Sequence, residues 1–533
     1  MARSYRPVLR DQPFLLAPDM REWLPADHLV WFVLDALAAV DLGVFHRMRR
    51  TGGVGRQGFD PDMLAGLLIY AYCQGVRSSR QIERLCDTDV AFRIACGGHG
   101  PDHTTIARFR KVHSAAFVDV FGQVLAIAAG AGLGRFGTVA IDGTKIPANA
   151  SGLRNRDRDW LATQAELIVA DAQATDLAED ARLGPEDRGD GDRTGPDLAS
   201  TGARGAAIAA AIAELDARQA AAAVEQTEQD EADAVRAAQR LDALTSGEAL
   251  PGAAPRGVDP VTEAQARLDR VRAAVQGAHD RWHAKAQAAA AHGRGIPGQR
   301  PVPVAEHTRV RAATARLQAA QQRQAAQQAA TEQAEQAEKK PKVNLTDPDS
   351  RVMPTRRGWI QGYNAQIAAT ADQLIVALGL VQDTNDQRQL TPMMTAATHA
   401  AALFTAMTGD QHGIGTALAD AGYASHTNLT APGPDRLIAL GTRRDQHRKA
   451  TDTPTSGPPP ADADPLTAMD HRLRTPEGAT LYKRRGATVE PAIGNLKKLL
   501  PRFSRRGLQA ALEELHLAAT AFNLRKIHRY GLT

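Results

Sequence analysis

The apolar positions of the first 130 residues recur at helical spacing. From Asp27 to Phe45 (DHLVWFVLDALAAVDLGVF) they mark one face of a helix. Asp60-Pro61 predicts a second start, with Pro61 in the first turn and an apolar body from Met63 to Tyr72. Ser78 or Ser79 is placed to cap a third helix, with Glu83 as its early acid. Asp102 is placed to cap a fourth over HTTIARFRKVH, and a fifth spans Ala115 to Ala129. Together these predict an all-α domain over residues 1–130.

The pattern then changes. Phe136 to Ile141 (FGTVAI) is a short β-type run that ends on Asp142-Gly143-Thr144, a common turn sequence. Strand-like runs return after Trp359. Tyr363–Thr370 and Leu374–Val381 read as neighbours joined by the polar turn Ala371-Asp372-Gln373. A helix is expected near 388–407, a buried strand near 413–419 ending at Asp420, and another strand at Arg436–Leu440. A Pro-rich loop (450–465) follows, then helices over Val489–Leu500 and Leu508–Arg529. Strands alternating with helices predict a mixed α/β layer.

Between these parts, from about 156 to 345, the chain is rich in Ala, Gln, Glu and Arg, with Gly/Pro breaks near 184–196, 251–260 and 294–303. The pieces 205–244 and 261–292 read as long helices able to pair as hairpins. Because strands lie on both sides, the tract is an insertion. The expected organisation is therefore 1–130, then an α/β domain made of 131–155 and 346–533, interrupted by a helical insertion over 156–345. The insertion serves either as a solvated linker or as a surface for DNA or a partner.

Composition narrows the function. A chain of 533 residues exceeds one ordinary core. Net charge is only +4, but its distribution is uneven: residues 161–200 hold ten acids and three bases, and residues 481–533 hold eleven bases and three acids. A basic carboxy-terminal stretch points to a polyanion, and nucleic acid is the usual one. Three cysteines (Cys73, Cys86, Cys96) argue against a disulfide framework. The sequence has no apolar run of ~18 residues, and the opening MARSYRPVLRDQPF lacks a signal-like apolar stretch. The expected location is the cytoplasm.

Phosphodiester cleavage and transfer are within reach of two divalent ions held by hard oxygen ligands from separate elements. Asp142, after an apolar strand and before Gly-Thr-Lys145, suits that task. The segment Val139-Ala-Ile-Asp142-Gly-Thr-Lys145 with Ala148-Asn-Ala-Ser151 resembles the first catalytic motif of insertion-sequence transposases of the RNase H-like DDE class. The resemblance continues in Asn344–Ser350 (NLTDPDS), Gly362–Gln366 (GYNAQ), Ala419–Ser425 (ADAGYAS) and Lys483–Pro491 (KRRGATVEP). Upstream, Gly75–Glu83 and Asp102–Arg110 are similar to that family's amino-terminal domain.

Carried over, the resemblance implies that Asp142, Asp420 and Glu490 are the three metal-binding carboxylates, that Mg²⁺ is the ion with Mn²⁺ as a substitute, and that the fold is RNase H-like. The competitors of Asp420 are Asp383 and Asp386 in VQDTND, which also follow a strand. Glu490 has an alternative reading as an acid that relieves a helix dipole. The family's Tyr, Arg, Glu, Lys signature falls on Tyr482, Arg485, Glu490 and Lys497, but Arg-to-Glu is one residue longer here, so Arg484 or Arg485 takes the arginine role. Lys145 joins these bases as a phosphate contact.

In the amino-terminal part, Ser78–Cys86 followed by His103–His113 resembles a helix-turn-helix with a long loop, which offers Arg108, Arg110 and Lys111 to DNA. A plain packing helix with Ile106 and Phe109 in the core is the alternative. Cys86, Cys96, His99 and His103 are candidate zinc ligands, though their spacing is unlike the usual pairs. The family implies double-stranded DNA partners (terminal inverted repeats and target DNA) and a homodimer on DNA. Two rivals stand beside this reading: a catalytically silent, transposase-derived DNA-binding protein, and a coiled-coil assembly protein. Breaks at Gly184, Pro251 and Pro297 and the lack of a Leu heptad count against the second.

Overall fold

Strand β1 (Thr138–Pro147) is apolar on both faces of its first half, and Val139, Ala140 and Ile141 are fully buried. Only the centre of a sheet covered on both sides accommodates such a strand. The computed structural model describes residues 19–47, 58–168, 170, 201–246, 259–293, 295, 298–336, 341–355 and 357–531. It divides into two units, one of residues up to Arg156 and from Val343 on, the other Asp157–Lys342.

Where the chain leaves the first unit and returns to it, β2 (Asn155–Asp157) pairs with β3 (Lys342–Asn344). The main sheet then adds β4 (Arg351–Thr355), β5 (Gly358–Thr370), β6 (Ile375–Val381), β7 (Thr416–Ala419) and β8 (Asp435–Ile438) to β1. Its order is β4-β5-β1-β7-β8, with β6 also paired to β5. β5 is antiparallel to β1, β4 and β6, while β7 is parallel to β1 and β8. The sequence gives little sign of β4: it lies at an edge, carries Pro354 and buries only Met353.

Two expectations need correction here. Asp142-Gly143 is not a turn, because β1 runs on to Pro147 and pairs with β5 from Val139↔Thr370 to Pro147↔Gly362. Cross-strand pairing overrides the local turn preference. Nor are the described residues of 1–130 set apart, since they fall in one compact unit with those from Val343 on. Tyr72 donates a hydrogen bond to Glu514 Oε1 at 2.9 Å and Arg525 donates to the Cys73 carbonyl at 2.8 Å. The helix Pro61–Cys73 thus packs on the helix Leu508–Gly531, and one apolar core runs from Val30 to Ile527. Asp60 and Asp102 do cap their helices, accepting from Asp62 N and Thr105 N.

The second unit contains three long helices, Thr201–Ser246, Pro260–Ala291 and Thr308–Gln336. Leu268, Val275, Val310 and Ala313 make a thin core between the last two, as the shortage of large apolar side chains dictates. The breaks expected at 184–196 and across most of 251–260, and the opening segment, lie outside the described residues. No single described helix is long and apolar enough to cross a membrane.

The helix Pro476–Leu499 begins thirteen residues before the expected start at Val489. Thr475 caps it by accepting from Gly478 N, and Pro476 fills the first position. Pro491 lies in its interior, where it lacks the N–H that would bond the Ala487 carbonyl. Gln373, in the β5–β6 turn with φ 64°, donates its Nε2 to that carbonyl at 3.0 Å. Gln373→Ala is therefore expected to cost about 1 kcal/mol. In a Pro491→Ala background the helix supplies its own N–H, and the same change becomes nearly neutral. A double-mutant cycle by urea denaturation checks this, and additive costs contradict it.

Candidate active site

β1 and β7 are parallel, with Thr138↔Thr416, Val139↔Ala417 and Ala140↔Leu418. Continuing that register by two residues brings Asp142 level with Asp420, just past the end of β7. The sheet alone therefore delivers two carboxylates, 278 residues apart in sequence, to one edge. The guanidinium of Arg485 stands at both: Nη2 is 2.9 Å from Asp142 Oδ2 and 3.5 Å from Asp420 Oδ2. Asp420 Oδ1 is engaged elsewhere, accepting from Gly422 N at 2.9 Å. One oxygen fixes the side chain and the other faces the site.

Arg485 and Glu490 are on the same helix. The carboxylate of Glu490 passes close over Gly486, where a Cβ would lie 3.1 Å from its Oε1. Its charge, with those of Asp142 and Asp420, helps to hold the Arg485 guanidinium charged against the penalty of burial. Glu490 lies mid-helix, which corrects the expected helix start and removes the dipole reading. Arg484 is exposed and lines a hollow with Pro476 and Thr480, whereas Arg485 is the arginine that stands at the two aspartates. Burial pushes the Tyr482 hydroxyl up to about 12. Burial also holds the Lys497 ammonium below the usual lysine range, with Lys145 adding to the effect and Asp142 opposing it. Arg443, Gln446, Tyr482, Lys483, Arg485 and Glu490 line a cavity of about 410 Å³.

A fourth acid joins the cluster. Asp386 Oδ1 accepts from Asn364 Nδ2 (2.6 Å), Gln366 Nε2 (2.7 Å) and Lys145 Nζ (3.3 Å). Gly143 makes room for it, since a Cβ there would lie 2.3 Å from Asp386 Oδ1. Tyr423 donates to Gln366 Oε1 and so braces the same network. Asp383 is turned to Gln389 instead. The roles of Asn364, Gln366 and Tyr423 were not assigned from sequence. The available signal for the first two was a pair of amides at period two in the buried half of β5.

The other candidates fall elsewhere. Arg108 and Lys111 are exposed on the helix His103–Val112, whereas Arg110 is half-buried and donates to the Arg77 carbonyl at 2.6 Å. Ile106 and Phe109 are core residues, and a short helix, Val90–Ala95, separates the two expected helix-turn-helix elements. The zinc candidates do not form a group among the described residues, and His103 is bonded to Glu83 at 2.8 Å. One surface trio, His46, Asp60 and Asp62, has ligand atoms close enough to share an ion, but Asp60 there caps a helix.

Asp142 is mostly buried, and its carboxyl is pushed up to about 6. Burial is the main cause and Asp420 and Asp386 add to it, against the opposing charge of Arg485. A free Asp titrates near 4. The folded chain therefore holds this proton more tightly than the unfolded one, and the metal-free protein gains stability from this group as pH falls from about 6 towards 4. The gain is on the order of 2 kcal/mol. Asp142→Asn should remove that component from a plot of unfolding free energy against pH. An unchanged slope in this window contradicts the assignment.

Two family models match the chain. One, described as Transposase domain (DUF772), covers residues 18–112, and the other, Transposase DDE domain, covers residues 444–528. The second span includes Tyr482, Arg485, Glu490 and Lys497, while Asp142 and Asp420 lie outside both. No curated protein and no solved structure matches the chain. The two transposase matches, one in each half of the sequence, identify the chain as a DDE transposase of the insertion-sequence kind.

Proposed function

We propose that this transposase cuts DNA at the ends of a mobile element and joins the freed 3′-hydroxyls to target DNA. In this reading Asp142, Asp420 and Glu490 hold divalent ions, Mg²⁺ with Mn²⁺ as a substitute. The observation that carries it is the convergence of Asp142 and Asp420 from adjacent parallel strands onto one cationic group, with Glu490 beside it. Carboxylate oxygens are the hard donors that Mg²⁺ requires, so the residues match the ion in donor chemistry, although among the described residues the oxygens of Asp142, Asp420 and Glu490 do not all lie within 4.8 Å of one another. When bound, such ions supply activation of the attacking oxygen and stabilisation of the leaving one.

The chain's own residues account for the rest. Arg485 Nε is a buried donor without an acceptor, and a phosphate oxygen would satisfy it. Lys497 adds positive charge near Asp142, and Lys145 adds it at Asp386. Hydrolysis breaks a P–O bond and leaves a 3′-hydroxyl, which then attacks a target phosphate and displaces its 3′ oxygen. Three antiparallel strands, β6-β5-β1, continued by parallel β7 and β8, support the RNase H-like reading. Exposed Arg108 and Lys111 remain candidates for DNA contact, and a homodimer joins the two ends.

Asp142→Ala, Asp420→Ala and Glu490→Ala should each abolish Mg²⁺-dependent nicking of an end-bearing duplex about as fully as the triple change, because such groups act as a unit. DNA binding should persist in each. Asp386→Ala should slow nicking without abolishing it, since three donors already occupy its Oδ1. Nicking by Asp420→Ala beside a dead Asp386→Ala would transfer the second ligand role to Asp386. Nicking by all four variants would refute the site.

A further inference from the structure

The bases near the end of the helix Leu508–Gly531 are gathered rather than spread over a solvated face. Arg525, Lys526 and Arg529 join Arg135 and Lys498 around a cavity of about 440 Å³. Its one carboxylate, Asp372, is already engaged, accepting from Gly134 N (2.8 Å), Arg135 N (3.2 Å) and the Thr370 hydroxyl (2.5 Å). Among the described residues none of the five bases forms an ion pair with an acid. Arg525 spends one N–H on the Cys73 carbonyl. Burial lowers the affinity of Lys526 for its proton, Asp372 opposes the shift and Arg529 adds to it. Five like charges held around one hollow repel one another, and an anion bound there relieves the repulsion.

We propose that this cavity binds backbone phosphates of DNA, at a place separate from the acid cluster. It shares no lining residue with the cavity beside Glu490. Both are lined by the helix Pro476–Leu499, which presents Arg485 and Glu490 to one and Asn495 and Lys498 to the other. DNA brought to the acids is therefore the polyanion at hand, and the proposal rests on the reading of the chain as a DNA-cutting enzyme. Backbone contacts of this kind position the duplex without reading its sequence.

The test uses the full chain and a random-sequence DNA duplex, with affinity measured by fluorescence anisotropy at several salt concentrations. A triple variant, Lys498→Gln/Lys526→Gln/Arg529→Gln, should bind more weakly and lower the slope of log affinity against log salt by about 2–3, one counterion per lost contact. The charge-keeping variant, Lys498→Arg/Lys526→Arg/Arg529→Lys, should keep the wild-type slope, which separates charge from packing. An unchanged slope in the first variant, with its melting temperature intact, overturns the proposal. Pyrophosphate provides the second arm. If it raises the melting temperature of the wild type alone while the DNA slopes stay equal, the cavity takes small phosphates and the DNA proposal fails. Failure of the catalytic reading would appear separately, as wild-type protein that binds the duplex but never nicks an end-bearing one.

Discussion

Several carboxylates brought to one edge of a sheet repel one another, and the first unit is arranged around that repulsion. Arg485 meets it directly, with one nitrogen at both Asp142 and Asp420 and Glu490 nearby. Asp386 is balanced separately by Lys145 and two amides. Without these partners, burial alone would favour protonated acids, as the raised Asp142 already indicates. A cluster in this state has a standing demand for positive charge.

Placing Arg485 and Glu490 depends on a helix that tolerates a proline. Pro491 directly follows Glu490, and the carbonyl it orphans is taken by Gln373 from the β5–β6 turn. The turn is in turn held by Asp372, which caps Gly134 and Arg135 ahead of β1. One short segment thus ties the strand that carries Asp142 to the helix that carries Glu490. Gly143 contributes differently: its missing side chain leaves the space that Asp386 fills.

Much of this was legible in the residues. The apolar runs before Asp142 and Asp420 marked real strands, and Asp60 and Asp102 marked real helix starts. What misled was local chemistry overridden by distant partners. Asp-Gly favours a turn, but nine pairs with β5 hold it extended. Glu490-Pro491 suggests a helix start, but a glutamine 118 positions earlier allows the helix to continue through it. The amino-terminal helices read as a domain because their own periodicity is complete. Their burial against Glu514 and Arg525 is invisible without the fold. Arg110 reads as a DNA contact because it shares one short helix with Arg108 and Lys111, and only the structure shows its bond to the Arg77 carbonyl.

The central claim is that Asp142 and Asp420 form the cation site. Anomalous diffraction from crystals soaked in Mn²⁺ tests it most directly. The account predicts a peak within roughly 2.0–2.6 Å of an oxygen from each of these residues, the range for hard cations on carboxylates, with Arg485 displaced from at least one of them. Peaks confined to other places, such as the surface trio His46, Asp60 and Asp62, with none at Asp142, would contradict it.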